Sequence, residues 1–154
     1  MRAVLTRVKS ASVVIDGKVN GQIGRGFLIL LGVGPEDTER ECKYLAEKAL
    51  GLRIFTDEND KMNLGLADVG GEVLVVSQFT LYGNCRKGRR PSFVEAADPQ
   101  LGNRLYEQFL KDCEDLGYPP QHGRFGADMQ VASVNDVPVT LILDTDQLLD
   151  RRHA

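Results

Sequence analysis

Residues 129–144 read MQVASVNDVPVTLILD, and the fold turns on what Pro138 does there. MQVASV and VTLILD each alternate as strands, and VNDVPVT, 134–140, lies between and across them. Proline lacks the N–H that a sheet ladder needs, so between apolar strands it marks an edge, a bulge or a turn. An X-Pro bond is also the one peptide bond at which the cis form is accessible. Two readings follow. One is a hairpin connection between two late strands. The other is a rigid loop that presents backbone groups to a ligand.

Working outward, residues 3–8 and 12–15 read as strands, with DGK at 16–18 as the turn into VNGQIG. FLILLGV, 27–33, is a continuous apolar run of strand length. In the next stretch Cys42, Leu45, Ala46, Ala49 and Leu50 share one helical face. Thr38 and Glu41 have capping-box spacing, and Gly51 suits the far end. LRIF is a short strand and TDENDKMNLG a polar loop. EVLVVSQFTLY, 72–82, is the strongest strand signal, and GNCRKGRRPSF after it is a basic loop. A second helix starts at Asp98-Pro99, carries Leu101, Leu105, Phe109, Cys113 and Leu116 as its buried stripe, and stops at Gly117 and Pro119. The order is strands, helix, strands, helix, strands. It lacks the regular alternation of a doubly wound sheet and predicts an α+β fold with mostly antiparallel strands. Residues 1–144 form one domain in this reading, and 145–154 a frayed polar tail.

The chain has 154 residues with a formal net charge of −3. That suits a single globular domain and excludes nucleic-acid binding through bulk positive charge, so any such contact must be a local patch. Cys42, Cys85 and Cys113 are odd in number and lack CxxC spacing, which predicts free thiols in a reducing cytoplasm. The start, MRAVLTRVKS, has no apolar core of a signal peptide, and no stretch is long and apolar enough to span a membrane.

Several familiar motifs fail. GVGPED, 32–37, lacks the third glycine of a dinucleotide loop, and its acids would repel a pyrophosphate. The DENDKMNLGLAD stretch places Met62 where a calcium loop needs glycine. His122 and His153, the only two histidines, have no zinc-ligand spacing. Ser77 lies in no GxSxG elbow. What survives is Ser77-Gln78-Phe79-Thr80, polar or bulky residues where an apolar strand runs out, a usual place for a site. Arg86, Lys87, Arg89 and Arg90 follow, four cations in five positions suited to phosphates. Phe125 and Met129 of GRFGADMQV, 123–131, suit an apolar pocket or simply the core.

Taken in order, VVSQFTLY, RRPSF, GRFGADMQV and NDVPVT resemble the D-aminoacyl-tRNA deacylase family. RVKSASV, IGRGFLILLGV and RIFTDENDKMN extend the likeness to about residues 1–144. The resemblance implies a compact, barrel-like β core with two main helices. It implies a cytoplasmic homodimer that needs no metal or organic cofactor and no membrane, and whose substrate is D-aminoacyl-tRNA. The reaction implied is hydrolysis of the ester between the D-amino acid and the terminal adenosine. Ser77 and Thr80 map onto the family's reacting stretch, with Gln78 and Phe79 beside them. Phe125, Met129, Asn135, Val137, Pro138, Val139 and Thr140 map onto its substrate-binding stretches. Arg7 matches an arginine that fixes the Pro loop. In the family that loop is a cis Gly-Pro that reaches into the partner's pocket. Its carbonyls hold the substrate amine and leave no room for an L side chain.

Here the glycine is Val137. It carries the same carbonyl, and with a negative φ it would keep the amine capture. A cis bond no longer follows from a residue-for-residue match. An aminoacyl ester is already activated, so a missing triad is no obstacle. Backbone N–H groups near Phe79 and Thr80 suit an oxyanion hole. Thr80 can position water or act as nucleophile, and the tRNA 2′-hydroxyl can assist. Two other readings compete: a thiol hydrolase using Cys85 and His122, and a non-catalytic tRNA- or RNA-binding homologue of the same fold.

Overall fold

The strand Arg2–Ile15 (β1) is the axis of the molecule, and three of the seven other strands pair directly with it. The computed structural model describes residues 1–149. Next come β2 (Lys18–Ile23), β3 (Gly26–Gly32), α1 (Glu39–Leu50), β4 (Phe55–Thr56) and β5 (Met62–Leu64). They are followed by the single turn α2 (Leu66–Val69), β6 (Glu72–Ser77) and a 3-10 turn at Phe79–Tyr82. The chain then forms α3 (Pro99–Asp115), β7 (Gln121–His122), β8 (Gln130–Asp144) and the short α4 (Thr145–Leu148).

Along one side, β1 pairs antiparallel with β3 at its start and with β2 at its end. Asp16 and Gly17 make the β1–β2 turn, both at positive φ (50° and 75°), as a tight hairpin with native twist requires. β3 continues in parallel into β6, and β6 into β7. The Asn20 side-chain amide donates to the His122 carbonyl at 2.6 Å, which brings β2 back against β7 and nearly closes a barrel. The sheet is therefore mixed, with antiparallel pairs in the majority, and the fold is α+β as the element order predicts.

The continuous apolar run of β3 has a physical reason: both its faces are buried. Phe27, Ile29 and Leu31 pack outward under α1 and α3, with Val73 and Val75 of β6. Leu28 packs inward with Leu74, Val76, Val8 and Val13. The capping box of α1 forms as its spacing predicts. The Thr38 amide donates to Glu41 at 2.7 Å, and the Arg40 amide donates to the Thr38 hydroxyl at 3.3 Å. Asp98 caps α3 by accepting from the Leu101 amide at 3.0 Å. Tyr106 then ties α3 to β6, its hydroxyl donating to the Val75 carbonyl at 2.9 Å.

Several sequence expectations change. Residues 3–15 are one strand, not two. The strongest strand stops at Ser77: the Gln78 amide makes a last ladder bond to the Leu31 carbonyl at 2.7 Å, and the chain then coils into the 3-10 turn. Leu116, assigned to the buried stripe of α3, caps the helix and is exposed. The polar tail begins with structure: Thr145 is buried, and its hydroxyl and the Asp37 carboxylate both accept from the Met1 amine. The rest of that tail, His153 included, lies outside the described residues.

The largest change concerns MQVASV and VTLILD. They are one strand, β8, antiparallel to β1 throughout. Thr6 pairs with Thr140 and Val8 with Asn135, so residues 136–139 all stand opposite Arg7 alone. VNDVPVT is neither a hairpin nor a terminal loop but a bulge extruded from the middle of a strand. Such bulges re-aim side chains without ending the ladder.

Candidate active site

The C-terminal end of a buried parallel strand is where an α/β region offers backbone groups to a ligand, and β6 ends there on Ser77. The chain then turns. Leu81 donates to the Gln78 carbonyl at 3.2 Å and Gly83 to the Thr80 carbonyl at 2.9 Å. The Gln78 side-chain amide donates to the Thr80 hydroxyl. Thr80 and Phe79 are exposed, while Ser77 and Gln78 are half-buried.

A cleft of about 620 Å³ opens beside this turn. Val76, Ser77, Gln78 and Phe79 form one wall, and Phe125 to Met129 with Val131 of β8 form the other. Phe93, Ala96, Ala97 and Pro99, ahead of α3, complete the rim. A narrow crevice runs from its floor between Leu31, Val33, Tyr106 and Phe125. The Phe125 ring leans on Tyr106, with centroids 6.3 Å apart. Met129 lies over Gly123, where a Cβ would come within 2.4 Å of its sulfur. The lining is mainly apolar with a few polar groups at one end, the usual make-up of a small-molecule subsite.

The structure thus brings together Ser77, Gln78, Phe79, Phe125 and Met129. Thr80 stands at the edge of this group through its bond to Gln78. The bulge residues of β8 do not line this cleft in the same protomer. Val137 is 79% exposed at the tip of the bulge, and Asn135, Pro138 and Thr140 are also exposed. The Thr140 hydroxyl meets that of Thr6 at 3.3 Å, and Asn135 accepts from the Ser133 hydroxyl at 2.7 Å. Val139 instead turns into the core, 8% exposed, so only its backbone faces outward.

Arg7 is why the bulge has a shape. Its guanidinium is 3% exposed and donates to the Ile54 carbonyl at 2.7 Å and to the Asp136 carbonyl at 3.3 Å. Its Nε lies 3.4 Å from the Asp136 carboxylate, an ion-pair distance rather than a hydrogen bond. Downstream of that clamp the Val137–Pro138 bond is cis and Val137 has φ +96°. The negative φ expected of a β-branched residue is not what this backbone adopts. Non-glycine residues reach positive φ only when their surroundings over-determine the chain.

The four cations sit on a separate hairpin. Asn84 and Ser92 exchange backbone bonds at 2.7 and 2.8 Å, and Gly88 turns the tip at φ +63°. Arg86, Lys87, Arg89 and Arg90 are exposed, and among the described residues no ion pair holds them. The thiol reading loses its geometry. His122 donates from Nδ1 to the Gly123 carbonyl at 2.6 Å and lines a groove with Glu107, Lys111 and Glu114, where Cys85 takes no part. Cys42 and Cys113 are buried, and burial pushes both thiols up to about 12. Among the described residues no group of three or more His, Cys, Asp or Glu side chains converges as metal ligands, and no helix is long and apolar enough to cross a membrane.

The comparisons with known proteins converge on these same elements. The chain is 61% identical over 145 residues to the D-aminoacyl-tRNA deacylase of Desulfatibacillum aliphaticivorans, covering 94% of this chain and 99% of the relative. It is 56% identical over 148 residues to that of Thermosipho africanus (strain TCF52B), covering 96% and 99%. A solved structure, c-Myc DNA Unwinding Element Binding Protein, superimposes with a TM-score of 0.87 at 40% identity, over 94% of this chain and 98% of that one. The D-Tyr-tRNA(Tyr) deacylase profile matches residues 4–144, from β1 to the end of β8, and the chain belongs to that family.

Proposed function

We propose that this protein hydrolyses the ester that joins a D-amino acid to the 3′-terminal adenosine of tRNA. The observation that carries the reading is the family match across 4–144, together with an apolar cleft whose one polar end is Ser77-Gln78-Phe79-Thr80. The cleft takes the adenosine. The ester then lies against the 3-10 turn. The first bond of that turn is donated by Leu81, so the Phe79 and Thr80 amides precede it and find no carbonyl within the turn. They are the donors for the oxyanion that develops on the ester carbonyl. Thr80, held by Gln78, positions the attacking group, which is water or the ribose 2′-hydroxyl. Among the described residues no histidine stands beside Thr80 to activate it as a nucleophile.

Selectivity belongs to the bulge of β8, acting across a homodimer. What supports this is that the Val137–Pro138 tip is exposed and lies outside its own protomer's cleft. A partner's tip closes that cleft. Arg86, Lys87, Arg89 and Arg90 bind tRNA phosphates. Groups from this chain and the substrate suffice for the chemistry, and the site of action is the cytoplasm.

The deciding experiment is deacylation of matched D- and L-aminoacyl-tRNA. Loss of the D-ester with the L-ester spared is expected. Tight tRNA binding with neither ester lost would make the chain an RNA-binding homologue. Sedimentation tests the dimer, and a monomer at micromolar concentration would remove the shared site.

A further inference from the structure

Phe93 is not needed by the reaction outlined above, yet the fold takes trouble to fix it in the open. It follows directly on the Asn84–Ser92 bridge at the base of the cationic hairpin. Its ring crosses Gly83 so closely that a Cβ there would come within 3.0 Å of Cε1. On another side it meets Phe79 edge to face, with centroids 5.3 Å apart and planes at 73°. Two large apolar rings, Phe79 at 54% and Phe93 at 37% exposure, therefore stand at the rim of the cleft. They lie beside four cations that, among the described residues, no ion pair holds. Exposed aromatics next to a cationic track are the physical signature of single-stranded nucleic-acid binding. Each base offers a π-face to stack, and each phosphate a charge to neutralise. A protein partner for this rim would be expected to bring acids toward the hairpin, and apolar burial alone would leave the cations unmatched.

We infer that Phe93 is a stacking shelf for the unpaired nucleotide immediately 5′ of the terminal adenosine, with the cationic hairpin holding the phosphates further upstream. The inference rests on the deacylase reading for the direction of the strand: adenosine in the cleft, chain leaving over the rim. It explains why the hairpin springs from the rim of the cleft. One ring anchors the end of the strand while the hairpin carries its backbone away. The preorganisation by Gly83 and Phe79 means that little side-chain entropy is lost when a base docks.

The test uses tRNA carrying a fluorescent cytidine analogue at the penultimate position, with Phe93→Leu and Phe93→Trp. Stacking one base on a ring is worth about 5- to 150-fold in affinity. Phe93→Leu should therefore raise KM for D-aminoacyl-tRNA within that range and abolish quenching of the probe. The slope of log affinity against log salt should stay unchanged, because no charge is removed. Phe93→Trp should keep quenching and KM. Parental KM and quenching in Phe93→Leu would overturn the inference, as would a loss that tracks dissociation of the dimer, since the ring would then be covered by a second copy. If the parent quenches the probe through Phe93 but hydrolyses no D-ester, the shelf stands and the deacylase reading falls.

Discussion

Two stretches of this molecule leave regular structure at functional positions, and they do so by opposite means. At Ser77–Tyr82 the chain ends a buried parallel strand and coils, held mostly by bonds between residues at most three apart, with one bond to the neighbouring strand and one from Arg2, whose guanidinium donates to the Leu81 carbonyl at 3.1 Å. At residues 136–139 the chain never leaves its strand. It is pushed out of it and held by a single side chain, Arg7, far away in sequence. The first is shaped mainly by local bonds and sits on packed core. The second is non-local, exposed at its Val137–Pro138 tip, and carries a β-branched residue at φ +96°. One protomer thus has a finished cleft wall but an unfinished tip. A tip built this way is a presenting device whose surface is completed by whatever it meets.

The largest expected effect tests the local stretch. Thr80→Ala should slow D-ester hydrolysis by about 10²–10³, the cost of one lost transition-state donor, while Thr80→Ser keeps most of the rate. Thr80 is exposed, so its thermal midpoint should not move; full activity in the alanine variant would reduce the turn to a strand end. Next, Arg7→Ala should lower unfolding free energy by about 3 kcal/mol, from two lost charge-assisted bonds and the ion pair. Denaturant titration measures this, and Arg7→Lys should recover part. A small loss would mean the bulge holds its shape without the clamp.

Val137→Gly should stabilise the protein by about 1–2 kcal/mol, because glycine adopts positive φ without steric cost. It should also widen the range of accepted esters. If the variant matches the parent on D-, L- and glycyl-tRNA alike, the tip does not touch substrate. Each cation removed from the hairpin should flatten the salt dependence of tRNA binding by at most about one unit of log–log slope. An unchanged slope after removing all four would make the hairpin merely solvated. The smallest effect is a control away from both stretches. Burial of Asp112 raises its carboxyl above the usual range, and its Oδ2 has no partner. The folded state therefore holds this proton more tightly than the unfolded chain. Asp112→Asn should raise the thermal midpoint at neutral pH, with the gain vanishing below the ordinary carboxylate range, and leave hydrolysis untouched.

The same contrast accounts for what the sequence revealed. Thr38, Glu41, Asp98 and Pro99 announce their helices because capping is local chemistry within three residues. Ser77 to Thr80 stood out as a strand end for the same reason, although aromatic and β-branched neighbours made the strand look longer than it is. In the sequence the bulge looks like a break between two strands, because its cause lies in β1. Nothing near Pro138 says that Arg7 will sit opposite four residues, or that Val139 will turn inward. β7 escaped notice because two residues carry no periodicity. Ala96, Ala97 and the exposed part of 126–128 joined the cleft only through packing of α3 against β6. Phe93 was in view within RRPSF, but only the fold shows its ring at the rim.

The pairing of β1 with β8 also sets when this protein can exist. Arg2 registers with Asp144, and the ladder between them runs the length of both strands. β1 is an early part of the chain and β8 a late one, so the central strand waits for nearly all the rest before its longest ladder can form. Closing so large a loop is entropically costly before any contact repays it, and folding dominated by such contacts is slow. During synthesis the apolar strands β1, β3 and β6 emerge well before β8 does. For that interval one side of β1 is an unpaired edge, open to any other strand. The feature that lets a bulge be displayed from mid-strand therefore leaves the nascent chain dependent on a strand within about the last sixth of its own sequence.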